Sequence, residues 1–191
     1  MARVRQPARA DDQISAAAKL GPYSDYRVVD IKTVEGRSSD AVRGTPEYEA
    51  LNNPRANTIY RLDNAKQFIT NAFGFVEQIM YKPIRLKRGR GANQTLVGKL
   101  GEETDVGGHL QAVAFGGSSD RFNLIPQNAK FNRSAFRSWE NEILRNIDNV
   151  DKVRMTLIRN NDSNSRPESL HVEYWINGKW YQKIFMNEQG D

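Results

Sequence analysis

Asp105-Val106-Gly107-Gly108-His109-Leu110, then Phe115-Gly116-Gly117, then Asn123-Leu124-Ile125-Pro126-Gln127, then Asn132 and Trp139-Glu140 mark the stretch that decides the fold. His109 to Phe115 reads as a strand, closed by the turn residues Gly116-Gly117-Ser118-Ser119-Asp120. Phe122 to Ile125 reads as a second strand. From about Asn128 to Ile147, the residues Phe131, Ala135, Trp139, Ile143 and Ile147 recur every four positions, the period of a helix that buries one stripe. Strand, strand, helix is the local order.

On either side the chain reads mostly as strands. Ile59 to Leu62 and Gln67 to Thr70 are strand-like, Asn71 to Gly74 supply a turn, and Phe75 to Met80 give another strand. Gly89, Gly91, Gly98 and Gly101 punctuate a stretch that reads as loop. Val153 to Arg159 is a strand. Leu170 to Ile176 and Lys179 to Phe185 flank Asn177-Gly178, a strong hairpin signal. The first 56 residues are loosely patterned: a short helix over Gln13 to Leu20, a strand over Tyr26 to Val34, and a helix opened by Thr45 as N-cap and Pro46 at N1, stopped by Asn53-Pro54. The expected class is α+β, a central antiparallel sheet with peripheral helices. Residues 1–56 form an N-terminal arm or linker and 57–191 the working domain, with the strand–strand–helix unit at about 105–147 and the hairpin at about 170–185.

Composition narrows the function classes. The chain has 191 residues, 38% of them hydrophobic, and a mean hydropathy of -0.71. No apolar run approaches the ~18 residues of a membrane span. The start, Met1-Ala2-Arg3-Val4-Arg5-Gln6-Pro7, leads into no apolar segment, so no cleaved signal peptide is expected. With no Cys and two His, disulfides, thiolate metal sites, a Cys nucleophile and a multi-His metal cage are all excluded. The net charge of +5 and pI near 9.5 point to polyanions, and Lys82, Arg85, Lys87, Arg88 and Arg90 concentrate cations without an intervening acid. His171 opens an alternating strand and reads as a strand-face residue.

The motif resembles the DNA/RNA non-specific endonucleases of the ββα-metal, or His-Me finger, class. Their pattern is Asp-Arg-Gly-His, then Asn-x-x-Pro-Gln, then an Asn nine residues after the first Asn, then a Glu eight further on. Here Asn123 to Asn132 is nine and Asn132 to Glu140 is eight. Asp-x-Gly-Gly-His-Leu, the following Phe-Gly-Gly and Asn-Leu-x-Pro are closest to the toxin branch, nuclease domains at the C-termini of bacterial polymorphic toxins. The resemblance covers roughly residues 57–147.

What it implies suits the chemistry. Phosphodiester hydrolysis needs an activated water, charge neutralisation at phosphorus and help for the leaving oxygen. By resemblance, His109 is the general base and Asn132 holds Mg²⁺, or Mn²⁺ or another divalent cation, with an amide oxygen that suits a hard ion. Glu140 binds water on the metal or a nearby cation, and Asn123 holds His109 and Asn132 in register. The products would carry 5′-phosphate and 3′-hydroxyl ends. The family's Arg two residues before the His is Gly107 here, so the phosphate-binding cation is sought among Arg88, Arg90, Arg133, Arg137 and Arg145. Asp105 lies four residues before His109 rather than three; both a site role and a loop-cap role are open to it. The expected substrate is DNA, with RNA a second candidate. The resemblance also implies a delivered effector acting in the cytoplasm of a target cell, and a cognate immunity protein as partner. The alternatives are a nucleic-acid-binding or protein-interaction module with a degenerate site, and a housekeeping nuclease.

Overall fold

The computed structural model describes residues 22–32, 41–62, 66–86 and 91–188. The helix expected over 13–20, the end of the strand expected to reach Val34, and Arg88 and Arg90 lie outside the described residues.

Seven strands form one sheet: β1 (Arg27–Ile31), β2 (Thr58–Leu62), β3 (Lys66–Thr70), β4 (Val76–Tyr81), β7 (Val150–Ile158), β8 (Ser169–Ile176) and β9 (Lys179–Met186), in that spatial order. β1 runs parallel to β2, and every other pairing is antiparallel. The β8–β9 hairpin turns at Asn177 and Gly178, whose φ angles of 50° and 73° fit a type I′ turn. α1 (Pro46–Asn52) begins as expected, with Thr45 Oγ1 accepting from the Tyr48 amide at 3.2 Å.

Between β4 and β7 the chain leaves the sheet and builds a separate unit. It contains α2 (Asn93–Gly98), a two-stranded ribbon of β5 (Asp105–His109) and β6 (Leu124–Asn128), and a helical run over 129–145, α3. Three sequence expectations change here. Residues 93–98, read as loop, are helical. The strand read from His109 to Phe115 ends at His109 and begins at Asp105; Val113–Phe115 is a 3₁₀ turn. The second strand starts at Leu124, because Arg121–Asn123 also form a 3₁₀ turn. Gly107 and Gly108 lie mid-strand where other groups press on the backbone. A Cβ on Gly108 would collide with the Gln127 side chain, and one on Gly107 with the Gln94 backbone.

α3 is helical throughout but not regular. Ala129–Phe131 and Arg137–Arg145 are α, and Asn132–Phe136 is a π turn. Ala135, expected in the buried stripe, is exposed, and Phe136 is buried in its place. The wider i→i+5 turn adds one residue, so Phe136 rather than Ala135 follows Phe131 down the core face. The rings of Phe136 and Trp139 pack on Phe185 of β9, and Trp139 also meets Tyr174 of β8. This apolar contact seats the strand–strand–helix unit on the large sheet.

Candidate active site

β5 and β6 pair from Asp105–Asn128 to His109–Leu124, so β6 delivers the chain into α3 beside the start of β5. Asn128 caps α3: its Oδ1 accepts from the amides of Lys130 at 3.0 Å and Phe131 at 3.2 Å. Asn132 follows in the first turn, half-buried. Among the described residues nothing hydrogen-bonds to its side-chain amide, which leaves the oxygen available to a ligand.

Asn123 is buried and fully used. Its Oδ1 accepts from the Gln111 amide at 2.8 Å, and its Nδ2 donates to the carbonyls of Gln111 at 2.9 Å and Ser118 at 2.8 Å. Its own carbonyl accepts from Leu110 N at 2.9 Å. These four bonds fix the chain just after His109 to the start of β6. Burying such an amide is tolerable only because each polar atom is paired.

His109 ends β5 half-buried. Its Nε2 is buried and its Nδ1 lies 3.5 Å from Nε2 of Gln94. Beneath the next residue, the buried Tyr81 hydroxyl donates to Leu110 O at 3.2 Å. Burial, with a smaller contribution from the Glu140 carboxylate, holds that phenol well above its ordinary pKa. Glu140 itself is pushed up to about 7 by burial, with Arg137 pulling the other way. Eight residues of regular helix would put Glu140 about 80° round from Asn132; the π turn uses up one of them, leaving about 20°. Both side chains therefore leave α3 on nearly the same face.

A groove of about 860 Å³ is lined by Gln94, Glu102, Asp105, Gly107, Asn132, Arg133 and Arg137, and Glu140 does not line it. Arg133 is steadied by a 3.0 Å bond from its Nε to Ala129 O. Among the described residues no three His, Asp or Glu side chains converge as a metal cage. The donor set instead suits a hydrated divalent ion resting on one or two protein oxygens.

Asp105 also lines the groove. Its carboxylate is buried and spent on Arg166, with Nε at 2.7 Å and the second guanidinium nitrogen at 3.3 Å, and it also accepts from the Glu102 amide. Arg166 further donates to Asn187 O at 2.6 Å. This ties the ribbon to the 160–168 connection and the end of β9. Arg145, the remaining helix cation, is exposed at the last turn. His171 lies on β8 between Thr156 and Ile184, on the large sheet.

The nine- and eight-residue spacings thus meet on one ribbon and one helix. A sequence model of the family described as DNA/RNA non-specific endonuclease matches residues 47–178. The chain belongs to that family. Among its relatives, "Type VII secretion system protein EssD" of Staphylococcus aureus strain USA300 is 28% identical over 146 residues, 70% of this chain and 24% of that protein. "Probable deoxyribonuclease RhsA" of Dickeya dadantii strain 3937 is 28% identical over 107 residues, 53% of this chain and 8% of that one. The endonuclease-family chain thus spans about a quarter of EssD and less of RhsA. The crystal structure of NucA from Streptococcus agalactiae with no metal bound superposes with a TM-score of 0.51 at 14% identity, over 79% of this chain and 93% of that one. At that identity the likeness is one of fold.

Several residues at this family member's site gave no sequence signal. Gln94 sits in a stretch read as loop. Asn52, at the end of α1, accepts from Asn93 Nδ2 at 3.0 Å and donates to Asp120 at 2.8 Å, tying α1 to α2. Asn187 donates to Pro126 O and Pro167 O and accepts from the Asn128 amide, bracing the β6–α3 junction from the far end of the chain. Only the 3.5 Å pairing of Gln94 with His109 touches the chemistry directly.

Proposed function

We propose that this chain is the nuclease module of a secreted antibacterial effector, a divalent-cation-dependent endonuclease that hydrolyses phosphodiester bonds of DNA. The observation that carries the reading is the groove that brings Asn132, Arg133 and Arg137 beside the Gln94–His109 pair in a member of an endonuclease family.

In this reading His109 takes the proton from the attacking water, since a neutral imidazole can accept one near pH 7. Asn132 supplies the amide oxygen that holds Mg²⁺, or Mn²⁺ in its place. A divalent cation held there would supply charge neutralisation at phosphorus and at the leaving oxygen. Glu140 holds solvent or a cation on the same helix face, Asn123 keeps His109 and Asn132 in register, and Arg133 and Arg137 hold the flanking phosphates. Asp105 acts at a distance by anchoring the ribbon to Arg166. No step requires a 2′-hydroxyl, so RNA is tested beside DNA.

The effector assignment draws on the printed names of the relatives, a secretion-system protein and a deoxyribonuclease. A nuclease without sequence preference endangers the cell that makes it. A basic chain of pI near 9.5 would attract an acidic immunity protein quickly by electrostatic steering. Plasmid and RNA incubated with purified protein, with and without EDTA, test the enzyme: EDTA-sensitive nicking, lost in His109→Ala, is the expected result. Absence of nicking at micromolar protein with Mg²⁺ or Mn²⁺ would refute it. Expression in a bacterium with and without the neighbouring gene tests the toxin role. Harmless expression of active enzyme alone would favour a housekeeping nuclease.

A further inference from the structure

We propose that Gln94 is the positioning residue of the general base, holding Nδ1 of His109 toward the groove as a proton acceptor. The inference rests on the reading of His109 as that base. Gln94 Nε2 lies 3.1 Å from Gly107 O and 3.5 Å from His109 Nδ1, so one amide spans the backbone of β5 and the ring two residues on. The other ring nitrogen is buried, and Nδ1 is the one that approaches Gln94, a residue of the groove wall.

The placement of α2 explains why the pairing can form. A Cβ on Gly107 would lie 2.2 Å from Gln94 O and 2.7 Å from its Cα. Gly98, one turn further along α2, also approaches β5: a Cβ there would lie 3.0 Å from Gly107 N. α2 therefore rests directly on β5, and any side chain at position 107 would push Gln94 off it. The absence of an arginine at 107 and the presence of Gln94 beside His109 are one arrangement. Asn93 fixes the start of α2, its Nδ2 donating to Asn52 Oδ1 at 3.0 Å and Ser119 O at 2.9 Å.

An amide serves both protonation states of the ring. Nδ1 has one lone pair, so in the resting ring it faces Nε2–H at 3.5 Å, and that contact gives way when the attacking water takes its place. Once Nδ1 carries the water's proton, rotation of the amide, with release of Gly107 O, offers Oε1 as acceptor. The charged groups that share the groove with Gln94 are Lys99, Glu102, Glu103, Asp105, Arg133 and Arg137. All are unchanged in the variants below.

The test is imidazole NMR on the metal-free full chain across pH. His109 and His171 are the only histidines, so His171 is an internal control. Gln94→Glu places a carboxylate beside the ring and should raise the His109 midpoint by about one unit relative to the parent. Gln94→Met removes the donor to neutral Nδ1 and should raise it by less. His171 should not move. In cleavage assays Gln94→Met should lower kcat roughly tenfold with KM within about twofold, less than the ~10²–10⁴-fold that loss of the base itself costs, and the acid limb of Gln94→Glu should follow its His109 midpoint. An unmoved His109 midpoint in both variants, with native thermal stability, overturns the positioning role. An active His109→Ala variant with the Gln94→Glu shift intact overturns instead the general-base reading beneath it.

Discussion

Replacing Glu140 by Gln should stabilise the metal-free protein above neutral pH and leave it unchanged in acid. Burial pushes this carboxyl from 4.5 up to about 7, against the pull of Arg137. A carboxyl whose folded pKa is raised favours folding while protonated. That contribution is complete below about pH 4.5, falls as pH rises, and is gone above about 7. The difference of roughly 2.5 units corresponds to about 3 kcal/mol at most, at 1.36 kcal/mol per unit. At 2–4 °C per kcal/mol for a domain of this size, the Gln variant should melt roughly 5–10 °C above the parent at pH 8. Thermal unfolding of both proteins in EDTA at pH 4, 5, 6, 7 and 8 measures this directly, because the difference cancels every other titrating group. The gap should open between pH 4.5 and 7 and then stay constant. Adding a divalent cation at pH 8 should narrow it, by neutralising the parent's carboxylate. A gap independent of pH, or a Gln variant less stable at pH 8, would show that Glu140 is not held out of solvent.

Three further perturbations separate structure from chemistry. Arg166→Met strands the fully buried Asp105 carboxylate and should cost about 3–5 kcal/mol in urea unfolding; Asp105→Asn in the same chain should recover much of that, with cleavage returning at temperatures where the variant is folded. In the inactive His109→Ala background, Arg133→Ala and Arg137→Ala should each reduce the slope of log affinity for duplex DNA against log salt by just under one, as loss of one phosphate contact requires; an unchanged slope would remove them from the interface. Deleting Ala135, exposed within the π turn, should leave a regular helix with Phe131, Phe136, Asn132 and Glu140 still in phase, so the protein folds and cuts. Deleting the exposed Ser138 instead rotates everything after it by about 100° and should abolish both.

Local chemistry made much of the fold readable. Thr45-Pro46 opens a helix and Asn177-Gly178 closes a hairpin because each pair has few other backbone options. The strands of the large sheet were visible as apolar runs between turn residues. Legibility failed where tertiary contact outweighed propensity. Val106-Gly107-Gly108 has little intrinsic strand character, yet it is a strand because Gln94 and Gln127 need backbone without a Cβ beside them. α2 is six residues among glycines, too short to show a period, and it is held through Asn52 and Asn93 rather than by its own sequence.

The site follows the same division, with one difference. Spacing alone brought Asn123, Asn132 and His109 together, because β6 runs straight into α3 and permits little variation. Arg166, Asn187 and Gln94 reach that unit from elsewhere in the chain, and no local pattern announces them. The π turn stands between the two cases. A stripe of 131, 135, 139 and 143 assumes a regular helix and buries Ala135, whose side chain is one methyl. The alternative of 131, 136, 139 and 143 buries a phenyl ring at the cost of one irregular turn. A fully buried Phe contributes about 1.5–3 kcal/mol relative to exposure. The turn's loss is reduced by Ser134, whose hydroxyl donates to Lys130 O at 2.7 Å, and by Arg133, whose Nε donates to Ala129 O at 3.0 Å. The core therefore selects the bulge. The same one-residue shift turns an eight-residue spacing, 80° out of phase on an ideal helix, into a near alignment of Asn132 with Glu140 on one helix face.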